Sequence, residues 1–234
     1  MITAAAVVPS PPLLARQLTG RQVVLPELRE ACAVAAGRLL ARPADVVVVV
    51  GAGPQAAAWE PDGQLNLAAW GPTRGGLGGR SEPGKPGLPL ALGIGAALLD
   101  EAGYAGRREL RAIDGGASTP DCLAIGAEVA RLDTSVALLV VGDGSARCTP
   151  AAPGYFDERA EAFTASVETA LRTGDMAALA GLDVALAAEL MATGRAAWQV
   201  LAGAIGPRRR VPGDVLYADA PFGVSYLVAL LDLG

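Results

Sequence analysis

Two uninterrupted aliphatic runs constrain the fold of this chain more than any other feature. Val46–Val50 reads VVVVV and Val136–Val141 reads VALLVV, without alternation of apolar and polar residues. A strand with one face in water needs such alternation, so these runs are typical of strands covered on both faces. On these grounds four strands are predicted, over Thr3–Val8, Asp45–Val50, Val136–Val141 and Asp214–Tyr217.

Segments with helical spacing separate these strands. The chain from Asp175 to Ile205 is alanine-rich and is predicted to be helical, with a break at Gly194. Strand–helix alternation predicts an α/β fold, in which residues 1–234 form a single three-layer domain around a mostly parallel or mixed central sheet. Three other apolar sets recur every three or four positions: Leu28, Cys32, Ala35 and Leu39; Cys122, Ile125, Val129 and Leu132; and Phe156, Ala160, Phe163, Val167 and Leu171.

The composition narrows the classes of partner. The chain has 52% hydrophobic and 18% charged residues and a net charge of −5, so it can build a core but offers no cationic surface for nucleic acid. The one basic run, Arg208–Arg210, is interpreted as a solvated turn. No apolar run is long enough to cross a membrane, and no secretory leader is evident, which predicts a cytoplasmic protein. The cysteines, 3 in number, form no CxxC pair, so neither a disulfide framework nor a zinc site is expected.

One glycine-rich stretch, Gly71–Gly87, reads GPTRGGLGGRSEPGKPG. Its Lys85 is followed by proline rather than serine or threonine, and no strand–loop–helix frame surrounds it, so a phosphate-binding loop is disfavoured. We predict a flexible surface loop.

Three loops follow the predicted buried strands: Pro9–Pro12, Gly51–Pro54 and Gly142–Thr149. In open α/β sheets the ligand pocket lies outside the carboxyl ends of the strands. We therefore expect these loops to border a common pocket.

Four motifs occur in a fixed order between Ala4 and Leu231: VVPSPPLL, VVVVVGAGP, VVGDGSARCTPAAPGYFDERAEAF and YADAPFGVSYLVALL. Their succession resembles the class III extradiol ring-cleavage dioxygenases, and more narrowly the catalytic-subunit (LigB-like) group, which is related to the MEMO-like proteins. The resemblance implies a single α/β domain. It also implies a chemistry in which two histidines and a glutamate hold a non-haem Fe(II), and a further histidine acts as acid and base while O2 opens a catecholic ring.

The chain contains no histidine, so each functional position of that family must be compared separately. Ser10 in SPPLL matches the first histidine ligand, Ala52 in GAGP the second, and Ala146 in GDGSARCT the acid–base histidine. Ala192 in MATGR aligns with the glutamate ligand, and Glu189 is near but off register. The resemblance therefore implies a preserved scaffold without iron ligands, and we predict no catalytic residue, no bound metal and no cofactor.

Residues beside these positions are the candidates for a retained pocket. Ser10 could in principle be a nucleophile, but no histidine is available as its base, and nothing in the sequence places Lys85 or a carboxylate beside it, which favours a neutral pocket-lining or helix-capping serine. Asp143 and Ser145 follow a buried strand, which favours a structural turn over a ligand contact. Cys148, next to Arg147, lacks the surroundings that activate a thiol.

Two further sets of residues are left with alternatives. Pro221 and Phe222 either line the pocket wall or close the sheet. Helix N-capping is favoured over cation binding for five aspartates: Asp114, Asp121, Asp157, Asp183 and Asp219.

Three functional hypotheses follow. The first is a catalytically silent relative of the dioxygenases that binds an unidentified small molecule or protein and could form a homo-oligomer. The second is an enzyme with different chemistry in the same cleft. The third, chemically the least favoured, is an active dioxygenase whose ligands come from elsewhere, since fold membership does not establish activity.

Overall fold

The computed structural model describes residues 1–67, 87–132 and 134–234. Its strands are β1 Ile2–Val8, β2 Val46–Gly53, β3 Ala57–Trp59, β4 Gln64–Leu65, β5 Gly87–Leu88, β6 Arg108–Asp114, β7 Val136–Val141, β8 Gly213–Asp219 and β9 Tyr226–Asp232. Its helices are α1 Arg16–Thr19, α2 Pro26–Leu40, α3 Leu90–Glu101, α4 Thr119–Ala130, α5 Arg159–Thr173, α6 Met176–Ala180, α7 Val184–Glu189 and α8 Arg195–Ile205.

Seven of these strands form one mixed sheet in the order β3-β6-β2-β7-β1-β9-β8. The four central strands, β6, β2, β7 and β1, are mutually parallel. β3 at one edge, and β9 and β8 at the other, join the sheet antiparallel. The predicted α/β architecture with a mixed central sheet is confirmed.

Helices cover both faces of this sheet and make it a three-layer structure. In β2, Val46, Val48 and Val50 pack into the core on the α4, α5 and α8 side. The intervening Val47 and Val49 pack into the core on the α2 and α3 side. Because both faces of the strand are buried, every position of the VVVVV run is apolar.

The four predicted strands are present with small shifts at their ends. Val136–Val141 has the predicted bounds, whereas the second strand continues past Val50 to Gly53. The shorter β3, β4 and β5, as well as β6, β9 and α3, were not predicted. β6 reads RELRAID, and its charged residues hide the strand pattern. Glu109 pairs with Arg111 in the same strand and with Arg107 just before it.

The stretch Asp175–Ile205 is helical as predicted, but the prediction of a single break at Gly194 was wrong. It contains three helices, α6, α7 and α8, and the chain breaks between α6 and α7 as well as near Gly194. Asp183 caps α7 by accepting a 2.7 Å hydrogen bond from the Leu186 amide, which separates two alanine-rich segments that look continuous in sequence. The predicted loop Gly71–Gly87 lies outside the described residues except for Gly87, which pairs with Gln64.

Helices α4 and α8 are in direct backbone contact. A methyl group placed on Gly126 would lie 2.1 Å from the Val200 carbonyl oxygen, and one on Gly203 would lie 2.4 Å from that of Leu123. Only glycine permits this approach, which fixes α8 and the turn that precedes it.

Candidate functional site

The carboxyl ends of β1, β7 and β2 lie side by side. Val8 pairs with Val141, Gly51 pairs with Val141 from the other side, and the Gly142 amide donates a 3.0 Å hydrogen bond to the Val8 carbonyl. β9 runs antiparallel to β1, so its first residue, Tyr226, lies at the same edge. The loops carrying Ser10 and Asp143 therefore leave the sheet at one edge, as expected for adjacent parallel strands. Ala52, expected on a loop, lies in the last part of β2, where it pairs with Ile113 of β6.

Ser10 and Asp143 are in direct contact at this edge. The Ser10 amide donates to Asp143 Oδ1 at 2.7 Å, and the Ser10 hydroxyl lies 3.5 Å from Oδ2. Ser10 is 5% exposed and Asp143 is half-buried. Burial raises the pKa of Asp143 to about 6, although the hydrogen bonds from Ser10 act in the opposite direction.

The charge of Asp143 contributes to the pKa of a nearby thiol and a nearby phenol, those of Cys32 and Tyr226. Burial raises the pKa of Cys32 to about 12, and Asp143 adds to the effect. Burial also raises the pKa of Tyr226, again with a contribution from Asp143. Both side chains belong to the core on the α2 side of the sheet. Cys32 and Tyr226 were not predicted as site residues, because only strand order brings β9 and α2 to β7.

Ser145 stabilises the loop that follows β7. It is fully buried, its hydroxyl donates to the Leu190 carbonyl at 2.9 Å, and it accepts from the Arg147 amide at 3.1 Å. Arg147 donates to the Glu189 carbonyl at 2.8 Å. Both side chains are thus used in holding the loop against the α7–α8 connection.

The positions Ala146 and Ala192 lie on these two connected segments. The Ala146 amide donates to the Leu190 carbonyl at 3.1 Å. Ala192 is 7% exposed and is followed by Thr193 and Gly194, which hydrogen bond to the Asp143 amide and carbonyl. The turn containing Ala192 is therefore held next to the Ser10–Asp143 contact.

Cys148, Pro221 and Phe222 lie apart from that contact. Cys148 Sγ is 3.4 Å from the Ser145 carbonyl oxygen and 4.0 Å from Thr164 Oγ1, on the α5 side of the sheet. Pro221 and Phe222 form an exposed turn between β8 and β9, and Phe222 is 50% exposed.

Among the five aspartates, the N-capping role holds for Asp183. Asp157 acts similarly at α5, where its carboxylate accepts a 3.0 Å hydrogen bond from the amide of Arg159, the first residue of that helix. Asp121 lies within the first turn of α4, whose N-cap is Ser118. The carboxylates of Asp114 and Asp219 accept hydrogen bonds from amides one or two residues further on, and capping was the wrong expectation for these two because they end strands β6 and β8.

The four family-matched positions do not fit an Fe(II) centre. Ser10 supplies a hydroxyl, and Ala52, Ala146 and Ala192 supply methyl groups, whereas iron of this type requires imidazole and carboxylate donors. Within residues 1–67, 87–132 and 134–234, no group of three or more histidine, cysteine, aspartate or glutamate side chains has the geometry of a metal site.

The fold and the cluster at its edge define a three-layer α/β protein with a small polar site at the carboxyl ends of its parallel strands. No family model matches the chain, and no curated protein matches it. It is similar to the solved structure of the uncharacterized protein JW3007 from Escherichia coli K12, with 14% identity, a TM-score of 0.56 and coverage of 97% of this chain and 99% of that chain. This likeness shows the fold. No helix in the described part of the chain has both the length and the apolar character to cross a bilayer.

Proposed function

We propose that this protein is a catalytically silent relative of the class III extradiol dioxygenases, which has lost the iron site and keeps its pocket for a small ligand or a protein partner. The proposal places the protein in the cytoplasm, where its three free cysteines would stay reduced.

The observation that carries the proposal is the donor set at the sheet edge. A serine hydroxyl is a poor ligand for Fe(II) compared with imidazole, and a methyl group is none. Removing groups that only support metal ligands typically costs about 10–100-fold in metal affinity or activity, so loss of the ligands themselves should abolish specific iron binding.

Metal analysis and oxygen consumption test this proposal. The purified protein is incubated anaerobically with Fe(II), desalted and analysed for iron, and is then assayed with protocatechuate in an oxygen electrode. We expect substoichiometric iron and no oxygen uptake above a protein-free control. Stoichiometric iron together with ring cleavage would overturn the proposal.

A thermal-shift screen separates the two roles left to a silent relative. Aromatic acids that raise the unfolding temperature of the parent protein, but not of a variant altered at Ser10 or Asp143, would support a ligand-binding role. If no compound in the screen binds, the protein-partner role is favoured.

A second candidate, an enzyme with altered chemistry at this edge of the sheet, is supported by Asp143. Its half-buried carboxyl group has a pKa of about 6 and contacts a hydroxyl group, and perturbed carboxyls in clefts are frequent general acids and bases. Any turnover found in a substrate screen should then rise with deprotonation near pH 6 and be lost in D143N. Turnover that survives in D143N would exclude this carboxyl as the base.

A further inference from the structure

One edge strand of the central sheet is open to pairing with a further strand. β3, Ala57–Trp59, is the outermost strand on its side, and among the described residues it pairs with β6 alone. An edge strand has backbone amides and carbonyls that face away from its neighbour and can pair with another chain. β3 contains no charged residue and no proline, and its pairing with β6 has no register shift.

The opposite edge strand, β8, differs in this respect. It carries Asp214 and Asp219 near its two ends. Its pairing with β9 is interrupted by a register shift between Val215 and Tyr217. Charges and bulges are devices that keep an edge from pairing with another chain. The contrast identifies the β3 edge as the side at which the sheet can be extended.

A cleft of about 460 Å³ lies against the β3 edge. It is bordered by residues from both faces of the sheet. Ile113 and Ile125 pack into the core on the α4 side, whereas Leu110 and Ala112 belong to the core on the α2 and α3 side. Successive residues of a strand point to opposite faces, so an added strand needs space on both faces, and this cleft provides it.

The side chains along this edge are small or apolar. Ala56 and Ala58 are exposed, and Ala57 is half-buried. Trp59 packs against the core on the α2 and α3 side. Glu60 is the first charged residue and lies beyond the end of the strand. A second backbone can therefore approach β3 without burying a charge.

We propose that β3 pairs antiparallel with β3 of a second copy of this chain, which joins the two sheets across a two-fold axis. A symmetric register that pairs all three residues is centred on Ala58, which then lies opposite the partner's Ala58. Trp59 lies opposite the partner's Ala57, so a large side chain meets a small one, and this happens twice. Glu60 falls opposite the partner's Ala56, so no like charges face each other.

This self-complementarity is the reason to assign a second copy as the occupant of the edge. In the same register, Trp59 is the diagonal neighbour of the partner's Trp59, at roughly 7–8 Å between backbones, which is within reach of aromatic side chains. The inference goes beyond the proposed function and does not depend on it, because Ser10, Ala146 and Ala192 do not border this edge.

Sedimentation velocity over a range of protein concentrations tests the inference. We expect a reversible monomer–dimer equilibrium, which is weak because a pairing of 3 residues buries little surface. A58K and A58E each place two like charges directly opposite each other, and each should weaken dimerisation by about 10-fold or more. An equimolar mixture of A58K and A58E should restore the dimer, because the opposed charges then have opposite signs. A218K, the same change at an exposed alanine of β8, is the control and should dimerise as the parent does.

Hydrogen exchange distinguishes a second copy from other occupants of the edge, after circular dichroism has established that the variants fold. We expect protection of the β3 amides to rise with protein concentration in the parent and to be lost in A58K. Protection in a monomeric protein, independent of concentration, would mean that another part of this chain covers the edge, and would overturn the inference. A monomer with unprotected β3 amides, or dimers that persist in both A58K and A58E, would also overturn it. A mixture of the two variants that stays monomeric would overturn the register centred on Ala58.

Discussion

The backbone amide of Ser10 donates a 2.7 Å hydrogen bond to Oδ1 of Asp143, and this contact joins the ends of β1 and β7 across 133 positions of sequence. The carboxylate lies at the carboxyl ends of the parallel strands β1 and β7. It satisfies a backbone donor of the neighbouring strand, but at the cost of partial burial of a charge.

We expect D143N to stabilise the protein at alkaline pH. Burial raises the pKa of Asp143 from 3.8 to about 6, so the folded state favours the protonated acid. Its contribution to stability is fully present below about pH 4 and is lost as the pH rises through about 6. At pH 8 the free energy of unfolding of D143N should exceed that of the parent by up to about 3 kcal/mol, and at pH 4 the two should be nearly equal. Urea unfolding at both pH values measures this.

Asp45 provides a matched control, because its pKa is shifted in the opposite direction and its effect on stability at pH 8 should have the opposite sign. Its carboxylate accepts hydrogen bonds from the Ser135 hydroxyl at 2.6 Å, the Ser135 amide at 2.8 Å and the Thr134 hydroxyl at 2.7 Å, which lower its pKa to about 2. Its contribution is present above pH 3.8 and is lost as the pH falls through about 2. D45N should therefore destabilise the protein at pH 8 and lose this effect in acid. A similar pH profile for D45N and D143N would contradict the explanation of both.

Arg195 should be one of the most sensitive positions in the chain. It is 2% exposed, and its guanidinium donates to the carbonyls of Gly115 and Ala117 at 2.6 and 2.7 Å and to Gln199 Oε1 at 2.9 Å. R195A removes a buried side chain and leaves the fully buried Gln199 Oε1 without this donor, and we expect a loss of about 2–4 kcal/mol in the free energy of unfolding. The control R38A removes a well-aligned but exposed ion pair with Asp214 and should cost less than about 1 kcal/mol. Equal losses of the free energy of unfolding in R195A and R38A, measured by urea unfolding, would show that burial does not explain the sensitivity of Arg195.

The contact between α4 and α8 predicts a second large effect. G126A places a methyl group 2.1 Å from the Val200 carbonyl oxygen, so the helices must separate. We expect it to lower the free energy of unfolding by about 2–3 kcal/mol. G37A is the control, since Gly37 lies on the exposed face of α2 with no atom within 4 Å of the added methyl group, and the variant should be more stable by about 0.5–1 kcal/mol. Destabilisation by both variants would refute the packing argument.

The residue-by-residue family comparison can be tested by restoring ligands. S10H/A52H/A192E reintroduces two imidazoles and a carboxylate at the matched positions, and we expect it to retain Fe(II) after anaerobic loading and desalting. S10N/A52N/A192Q is the control with weaker donors and should not retain iron. Circular dichroism first establishes that both variants fold. A folded histidine variant without iron would show that these positions do not converge.

The aliphatic runs were sufficient to predict the layered α/β fold, because complete burial of a strand on both faces leaves a recognisable pattern. β6 and α3 were missed for opposite reasons. Charges on Arg108, Glu109 and Arg111 pair with one another or with a helix residue beside the sheet, whereas α3 is apolar on nearly every side and has no helical stripe.

The loop after β7 shows why the candidate site was only partly predictable. Asp143, Ser145 and Cys148 are close in sequence and were grouped together. In the structure Asp143 contacts Ser10, Ser145 is buried beneath the loop, and Cys148 faces α5. Their directions depend on contacts with residues 189–194 and 223–225, which no local pattern contains.

The sequence by itself determined that strands such as β2 and β7 are buried on both sides and that no imidazole is available anywhere in the chain. Only the tertiary structure decided that Ser10 meets Asp143, and that Cys148 lies beside α5 instead of next to that contact. The physical reason is that composition and hydrophobic pattern fix which segments must be buried, whereas strand order and the facing direction of each side chain fix which distant residues come together.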